Sequence, residues 1–333
     1  MTNARYSHTE SVLSNGKVLV TGGYNNNGRL NGAELYDPLT GIWTTTSNMN
    51  NARDSHTASA LSNGKVLVTG GHGNSVYLNS AELYDPLTGT WATTGNMNNA
   101  RTTHTACVLS NGKILVIGGL GDIGALNSAE LYDSSTGIWT TTSNMINRRY
   151  GNTVSVLSNG KVLVTSGWNG NIAFDNAELY DPSTGTWTTT NNMNNARICH
   201  TASVLSNGKV LIAGGTGSSG SYSLNSAELY DPLTGTWTTT SNMNDARYSH
   251  TASVLSNGKV LVTGGYGNSG FLNSAELYDP STNTWTTTST MNIARYCHTA
   301  SILSTGKILV TAGVGDGYNH LNSAELYQVF QIN

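Results

Sequence analysis

Six histidines recur at one interval along the 333-residue chain: His8, His56, His104, His200, His250 and His298, with Asn152 where a seventh would fall. Imidazole ligates transition metals, holds anions when protonated and exchanges protons near neutral pH. Six of them set around a common axis could hold a metal or an anion. The interval argues for a different use, because metal ligands must converge within about 2 Å of one ion, whereas one residue per repeat is spread around a ring. An amide at the fourth position shows that the place asks for a hydrogen-bonding group. The expectation is a structural ring at the mouth of a channel, each side chain bonding neighbouring backbone. His72 and His320 stand outside the pattern and are the histidines open to a ligand-specific role.

A second set carries the chemistry of recognition. Of the 16 tyrosines, Tyr36, Tyr84, Tyr132, Tyr180, Tyr230, Tyr278 and Tyr327 share one repeat position. Tyr6, Tyr150, Tyr248 and Tyr296 lie just after a recurring arginine, and Tyr24, Tyr77, Tyr222, Tyr266 and Tyr318 lie in variable segments together with Trp168, Phe174 and Phe271. Charge sorts in the same way. Once the repeated Arg, Lys, Glu and Asp are set aside, Arg29 and Arg148 remain against Glu10, Asp54, Asp122, Asp175, Asp245 and Asp316. An aromatic, Asn-rich, mildly acidic surface suits stacking on sugars or gripping a peptide with aromatic anchors. Loops also collect Tyr, Asn, Gly and Ser simply because they tolerate change, so plain loop surface is the competing reading.

The elements that must position these groups come from a repeat of 48 residues, 50 in one case. Its marker is Asn15 to Gly23, NGKVLVTGG, whose leading glycine returns as Gly64, Gly112, Gly160, Gly208, Gly258 and Gly306. Near-identical units at this period mean a repeat array. Units start near residues 1, 49, 97, 145, 193, 243 and 291 within one body spanning 1–333. Each begins with a segment such as Arg5 to Leu13, strand A, which ends on Asn-Gly, the strongest short hairpin signal. Strand B, Lys17 to Thr21, is apolar on both faces and therefore covered on both. It stops at Gly22-Gly23, and Ser166-Gly167 is expected to loosen the corresponding bend in unit four. After a variable loop comes strand C, Asn31 to Tyr36. The turn Asp37-Pro38-Leu39-Thr40-Gly41 follows, then strand D, Ile42 to Thr46, and a crossing to the next Arg. A lone four-stranded sheet is marginal; sheets packed face to face around an axis shelter each other.

The glycine doublet closing strand B, the tyrosine of strand C and the tryptophan seven residues later (Tyr36 and Trp43) together resemble the kelch repeat over essentially the whole chain. The resemblance implies an all-β, seven-bladed β-propeller in which Tyr and Trp pack between blades. The chain ends one residue short of the seventh Trp, so the last blade is expected to have three strands, the ring closing by packing of blade seven on blade one. Basic residues near the start of strand A contact acidic ligands in peptide-binding kelch domains. In Arg5, Arg53, Arg101, Arg149, Arg197, Arg247 and Arg295, their recurrence in every unit points instead to scaffold, paired with the repeated Glu34 set or with carbonyls of the crossing. Lys17 and its equivalents form a basic rim at the opposite end.

With 11% charged residues and a net charge of -3, the chain lacks the clustered cations that nucleic acid requires. No apolar run reaches membrane-spanning length, no secretory signal or N-x-[ST] acceptor is found, and Cys107, Cys199 and Cys297 do not form a disulfide framework. A monomer in a reducing, cytoplasmic setting is expected. Some kelch-fold proteins are copper radical oxidases, sugar epimerases or iron-dependent specifier proteins. The oxidases need a Tyr, Cys and two-His constellation breaking the repeat, and Cys199 and Cys297 instead sit beside scaffold histidines. The expected function is therefore a binding module without cofactor or metal, recognising a peptide, protein or glycan at the loop face. Two alternatives stand: a carbohydrate-active or metal-dependent enzyme at the channel mouth, and a ligand-free repeat scaffold, natural or engineered.

Overall fold

The computed structural model describes residues 1–217 and 222–328. It is a ring of seven antiparallel sheets, six of four strands and the last of three. In blade one, strands A to D are Thr9–Val12, Val18–Thr21, Ala33–Asp37 and Ile42–Thr45, hydrogen-bonded in that order. Blade seven has Thr299–Ile302, Ile308–Thr311 and Ala324–Tyr327. Strand A is shorter than the sequence pattern suggests. Arg5 to His8 lie outside it and cross the loop face, because the residue before each histidine takes positive φ, as Ser7 (51°) and Ser55 (51°) do. Successive residues of this set bond blade to blade around the axis, Ser55 N–H to Ser7 O at 2.9 Å and Thr103 N–H to Ser55 O at 3.0 Å.

Strand B is buried throughout, and hydrophobic clusters lie between neighbouring blades rather than within them. Leu13, Leu19, Ala33 and Met49 pack on Val66, Val68 and Tyr84 of the next blade. Burial of this kind stabilises by roughly 25 cal/mol per Å² of apolar area. The strand C tyrosine packs on the strand D tryptophan of its own blade, Tyr36 on Trp43 at 5.1 Å. The tryptophan then reaches across to the preceding blade: Trp91, Trp139, Trp187 and Trp237 donate Nε1–H to the carbonyls of Ser47, Gly95, Ser143 and Asn191 at 2.8–2.9 Å.

The glycine doublet answers to close approach. Gly22 has φ +60°, and a Cβ there would lie 2.5 Å from the carbonyl oxygen of Arg53 and 2.7 Å from Cε1 of His56. In unit four Ser166 accepts the same positive φ, 59°. Its hydroxyl bonds the carbonyls of Phe174 (2.7 Å) and Arg197. The cost is visible next door: Gly167 N–H reaches Arg197 O at 3.4 Å, where Gly23 reaches Arg53 O at 2.8 Å. The bend is loosened as the substitution suggests.

The seven arginines are fully buried. Arg5 pairs with Glu34 at 2.8 Å and donates to the carbonyls of Gly22 (2.7 Å) and Gly32 (3.1 Å). The carbonyls used are those of the doublet and of the entry to strand C, not of the crossing. The crossing is held by the carboxylate instead, as in blade two, where Glu82 accepts from the N–H groups of Asn50 (2.7 Å) and Asn51 (3.1 Å). The Nε of each of the seven finds no hydrogen-bond partner among the described residues, but the charge itself is paired, and a buried charge stripped of its partner is strongly destabilising.

Ring closure repeats the same bonds. Arg5 N–H meets Leu321 O at 3.1 Å and Gly313 N–H meets Arg5 O at 2.9 Å, as Arg53 meets Leu30 at 3.1 Å. The closing cluster is smaller, with Val18, Tyr36, Leu303 and Leu309 at its core. Trp43, facing the three-stranded blade, makes no Nε1 bond to a preceding blade among the described residues. At the opposite end the lysine rim is not a free basic surface, because six of its members pair with the turn aspartates, Lys17 with Asp37 at 3.3 Å and Lys209 with Asp231 at 3.1 Å.

Candidate ligand-binding face

A fixed device presents the variable side chains. In every blade the residue after the buried arginine forms an antiparallel bridge with the residue after the glycine doublet or after its equivalents Ser166-Gly167 and Ala312-Gly313. The pairs are Tyr6/Tyr24, Asp54/His72, Thr102/Leu120, Tyr150/Trp168, Ile198/Thr216, Tyr248/Tyr266 and Tyr296/Val314. In blade one, Tyr6 N–H reaches Tyr24 O at 3.1 Å and Tyr24 N–H reaches Tyr6 O at 2.9 Å. Anchored below by Arg5 and the doublet, the bridge holds two side chains at the loop face independently of loop length. The aromatic inventory of the sequence did not reveal this pairing. Its signal is a constant 18-residue offset in all seven units, which also brings Thr102, Leu120, Ile198, Thr216 and Val314 into the set.

The aromatics do not spread evenly around the ring. Blades six and seven carry one contact chain: Tyr248 to Tyr266 at 5.6 Å, Tyr266 to Phe271 at 5.1 Å and to Tyr296 at 5.9 Å, and Phe271 to Tyr318 at 5.2 Å between ring centroids. Blade seven continues into blade one through His320, 4.9 Å from Tyr6, which stands 5.7 Å from Tyr24. Blade one meets blade two through Arg29. Its guanidinium lies 5.6 Å from the Tyr24 ring centre, forms an ion pair with Asp54 (2.7 Å) and donates to Nδ1 of His72 (2.6 Å). His72 contacts Tyr77 at 4.9 Å. The result is an arc over blades six, seven, one and two. Tyr150 with Trp168 forms a separate pair in blade four, and Tyr222 stands exposed in blade five.

Burial raises the hydroxyls of Tyr6, Tyr248 and Tyr296 above the ordinary tyrosine value, Tyr296 to about 12. They stay protonated and can donate. Burial and then Arg29 lower His72, so its ring is neutral at pH 7, accepting at Nδ1 and keeping Nε2–H to donate. Two residues expected on the surface are not there. Phe174 occupies the position that is Leu30, Leu78 and Leu126 in other units and is buried beneath Arg149, 5.0 Å from ring to guanidinium. Asp54 is buried in its ion pair with Arg29, so its charge is spent internally.

Of the repeated histidines, His8, His56 and His104 line an opening of 280 Å³ with Ser7, Ser55, Thr103, Gly151, Asn152 and Cys199. Their partners are side chains rather than the backbone expected. His56 Nε2 bonds the hydroxyl of Thr9, the first residue of the preceding strand A, at 2.8 Å, and His8, His104, His200, His250 and His298 find Thr299, Thr57, Thr153, Thr201 and Thr251 in the same way at 2.8–3.1 Å. Asn152 donates to Thr105 at 2.9 Å. Burial drives these imidazoles far down, to about 3 for His8, His104, His200 and His298. A ring of neutral groups bonded tangentially gives an anion no positive charge. Among the described residues no three His, Cys, Asp or Glu side chains are grouped to hold a metal ion.

Residues 1–143, 92–246 and 189–331 each match the family described as the KLHDC2/KLHL20/DRC7 Kelch-repeats domain, so the whole ring is covered. The chain belongs to this kelch-repeat family. No curated protein matches it. Among solved structures it is similar to one described as a novel fungal alcohol oxidase with catalytic diversity among the AA5 family, in complex with copper. Identity there is 22% and the TM-score 0.78, with 98% of this chain and 74% of that one covered. It is also similar to YjhT, at 18% identity and a TM-score of 0.69, over 87% of this chain and 99% of that one. Both likenesses concern the fold.

Proposed function

We propose that the chain is a non-catalytic binding module that recognises a peptide, protein or glycan through the aromatic arc of blades six, seven, one and two. The observation that carries this reading is a pair of contact chains that adjoin at blade seven, one from Tyr248 to Tyr318 and one from His320 to Tyr77. Half-exposed rings are braced edge to face on bridged backbone, with Arg29 and His72 supplying directional donors among them. Aromatic anchors held in place before binding lose little freedom on contact and concentrate binding energy. Stacking on a sugar face and insertion of a peptide side chain between rings are both served by this arrangement.

Membership of the kelch family supports a binding role. The copper-containing neighbour shares only the fold, and the side chains at this channel mouth are committed to tangential bonds. A glycan and peptide array tests the proposal, comparing the wild type with a Tyr24→Ala, Tyr266→Ala double variant and with Trp168→Ala, which lies off the arc. Signals lost in the double variant and kept in Trp168→Ala support the arc; equal signals from all three proteins remove it.

A further inference from the structure

In a chain of near-copies, the residues that break the pattern carry the individual information, and five of them meet between blades three and four. At the second position of the crossing, five units have Asn (Asn50, Asn98, Asn194, Asn244, Asn292); unit three has Ile146. Two residues on, all six other copies of the crossing motif have Ala (Ala4, Ala52, Ala100, Ala196, Ala246, Ala294); unit three has Arg148. The blade-three loop brings Ile123 where Asn27 stands in unit one, and the blade-four loop brings Ile172 and Phe174. All five line one groove of 590 Å³, together with Asn147 and Asn169.

The chemistry of the groove is specific. Ile123, Ile146 and Ile172 are 85%, 61% and 54% exposed, and Phe174 forms a buried floor. Aliphatic side chains gathered this way and rimmed by polar groups mark a contact site. Arg148 is exposed and has no ion pair or hydrogen bond among the described residues, whereas its neighbour Arg149 is committed to Glu178 at 2.7 Å. An unpaired guanidinium calls for a carboxylate. The groove is open rather than enclosed, with Asn147 and Asn169 at its sides, which suits an extended backbone better than a single hydrocarbon tail.

We propose that this groove is a second recognition site, separate from the tyrosine arc, for a short peptide segment in which an acidic residue lies between aliphatic ones. The segment sets its aliphatic side chains on Ile123, Ile146 and Ile172 over Phe174 and its carboxylate on Arg148.

The test uses the whole chain with isoleucine methyl groups labelled for NMR and the peptide acetyl-Leu-Asp-Leu-Asp-Leu-amide as probe. Saturable shifts are expected at the methyls of Ile123, Ile146 and Ile172. Arg148→Ala should weaken the peptide about tenfold, the scale of one charge-assisted contact, and Ile146→Asn should abolish the shifts at Ile123 and Ile172. Both variants install the residue found at that position in most other units, so the fold is preserved. Tyr266→Ala should leave the titration unchanged. No shift at these three methyls at about 1 mM peptide would overturn the proposal. So would equal binding of the Asn-for-Asp peptide, tighter binding of dodecanoate, or concentration-dependent self-association that Ile146→Asn removes.

Discussion

Tyr266 of blade six and Tyr296 of blade seven stand edge to face across the gap between the blades, 5.9 Å between ring centroids. Each is fixed by a backbone bridge to its own blade, Tyr266 to Tyr248 and Tyr296 to Val314. The contact therefore joins two separate sheets at the loop face without belonging to the core of either. A side chain so placed is free to serve a ligand.

Tyr266→Ala is accordingly expected to weaken an array-selected ligand by at least about tenfold, as loss of a central aromatic anchor does. Its unfolding free energy should move by less than about 1 kcal/mol, because the ring is half-exposed. Calorimetric titration and urea unfolding of the same variant check both halves.

The buried ion pairs behave oppositely. Arg101 lies 2.7 Å from Glu130, and burial pushes this carboxyl up less than the N–H of Asn98 and the Arg101 guanidinium pull it down, so its pKa falls below the ordinary glutamate value. Glu130→Ala leaves the guanidinium buried without its anion and should cost about 3–5 kcal/mol, read as a lowered urea midpoint. The stability Glu130 adds is present above the unfolded glutamate pKa and is lost as pH falls through its lower folded value.

The histidine ring sets a second pH limit. His104 titrates near 3 when folded against 6.5 ordinarily, so the unfolded chain takes up the proton first. Stability is full above about pH 6.5 and declines from there toward pH 3. His104→Asn, the residue natural at 152, removes one such proton and should move the acid-unfolding midpoint, followed by circular dichroism, to lower pH. A midpoint unmoved or raised would count against the tangential bond.

Much of the architecture was legible because Asn-Gly, the doublet, Tyr and Trp each have a local physical reason to recur. The threonine partners of the histidines were less so. His56 and Thr9 are 47 residues apart, and only the packing of one inner strand beside the next brings them together. The aromatic loop residues were visible as a class, but their gathering over four blades depends on ring order, and the burial of Phe174 on its being a scaffold leucine position. Asp54 illustrates the remaining gap, since an acidic loop residue cannot be seen as spent until Arg29 is found beside it.

Closure of the ring should be its weakest seam. The apolar cluster there is smaller, and blade seven has three strands among the described residues where the other blades have four. Amide hydrogen exchange should be fastest in strands of blades one and seven, following local opening. Uniform protection around the ring would contradict it.

Ser166→Gly offers a gain. It removes a side chain held at φ 59° and allows the stretched contact of Gly167 with Arg197 to shorten. A rise in stability of about 1 kcal/mol is expected, seen as a higher melting temperature.

The most direct measurement is a hydrogen–deuterium protection map of the protein with its array-selected ligand. Protection gained at Tyr6, Tyr24 to Arg29, Tyr248, Tyr266 to Phe271 and Tyr296 is the predicted result. Protection confined to the lysine and aspartate rim, or to the strand D edges, would contradict recognition at the arc.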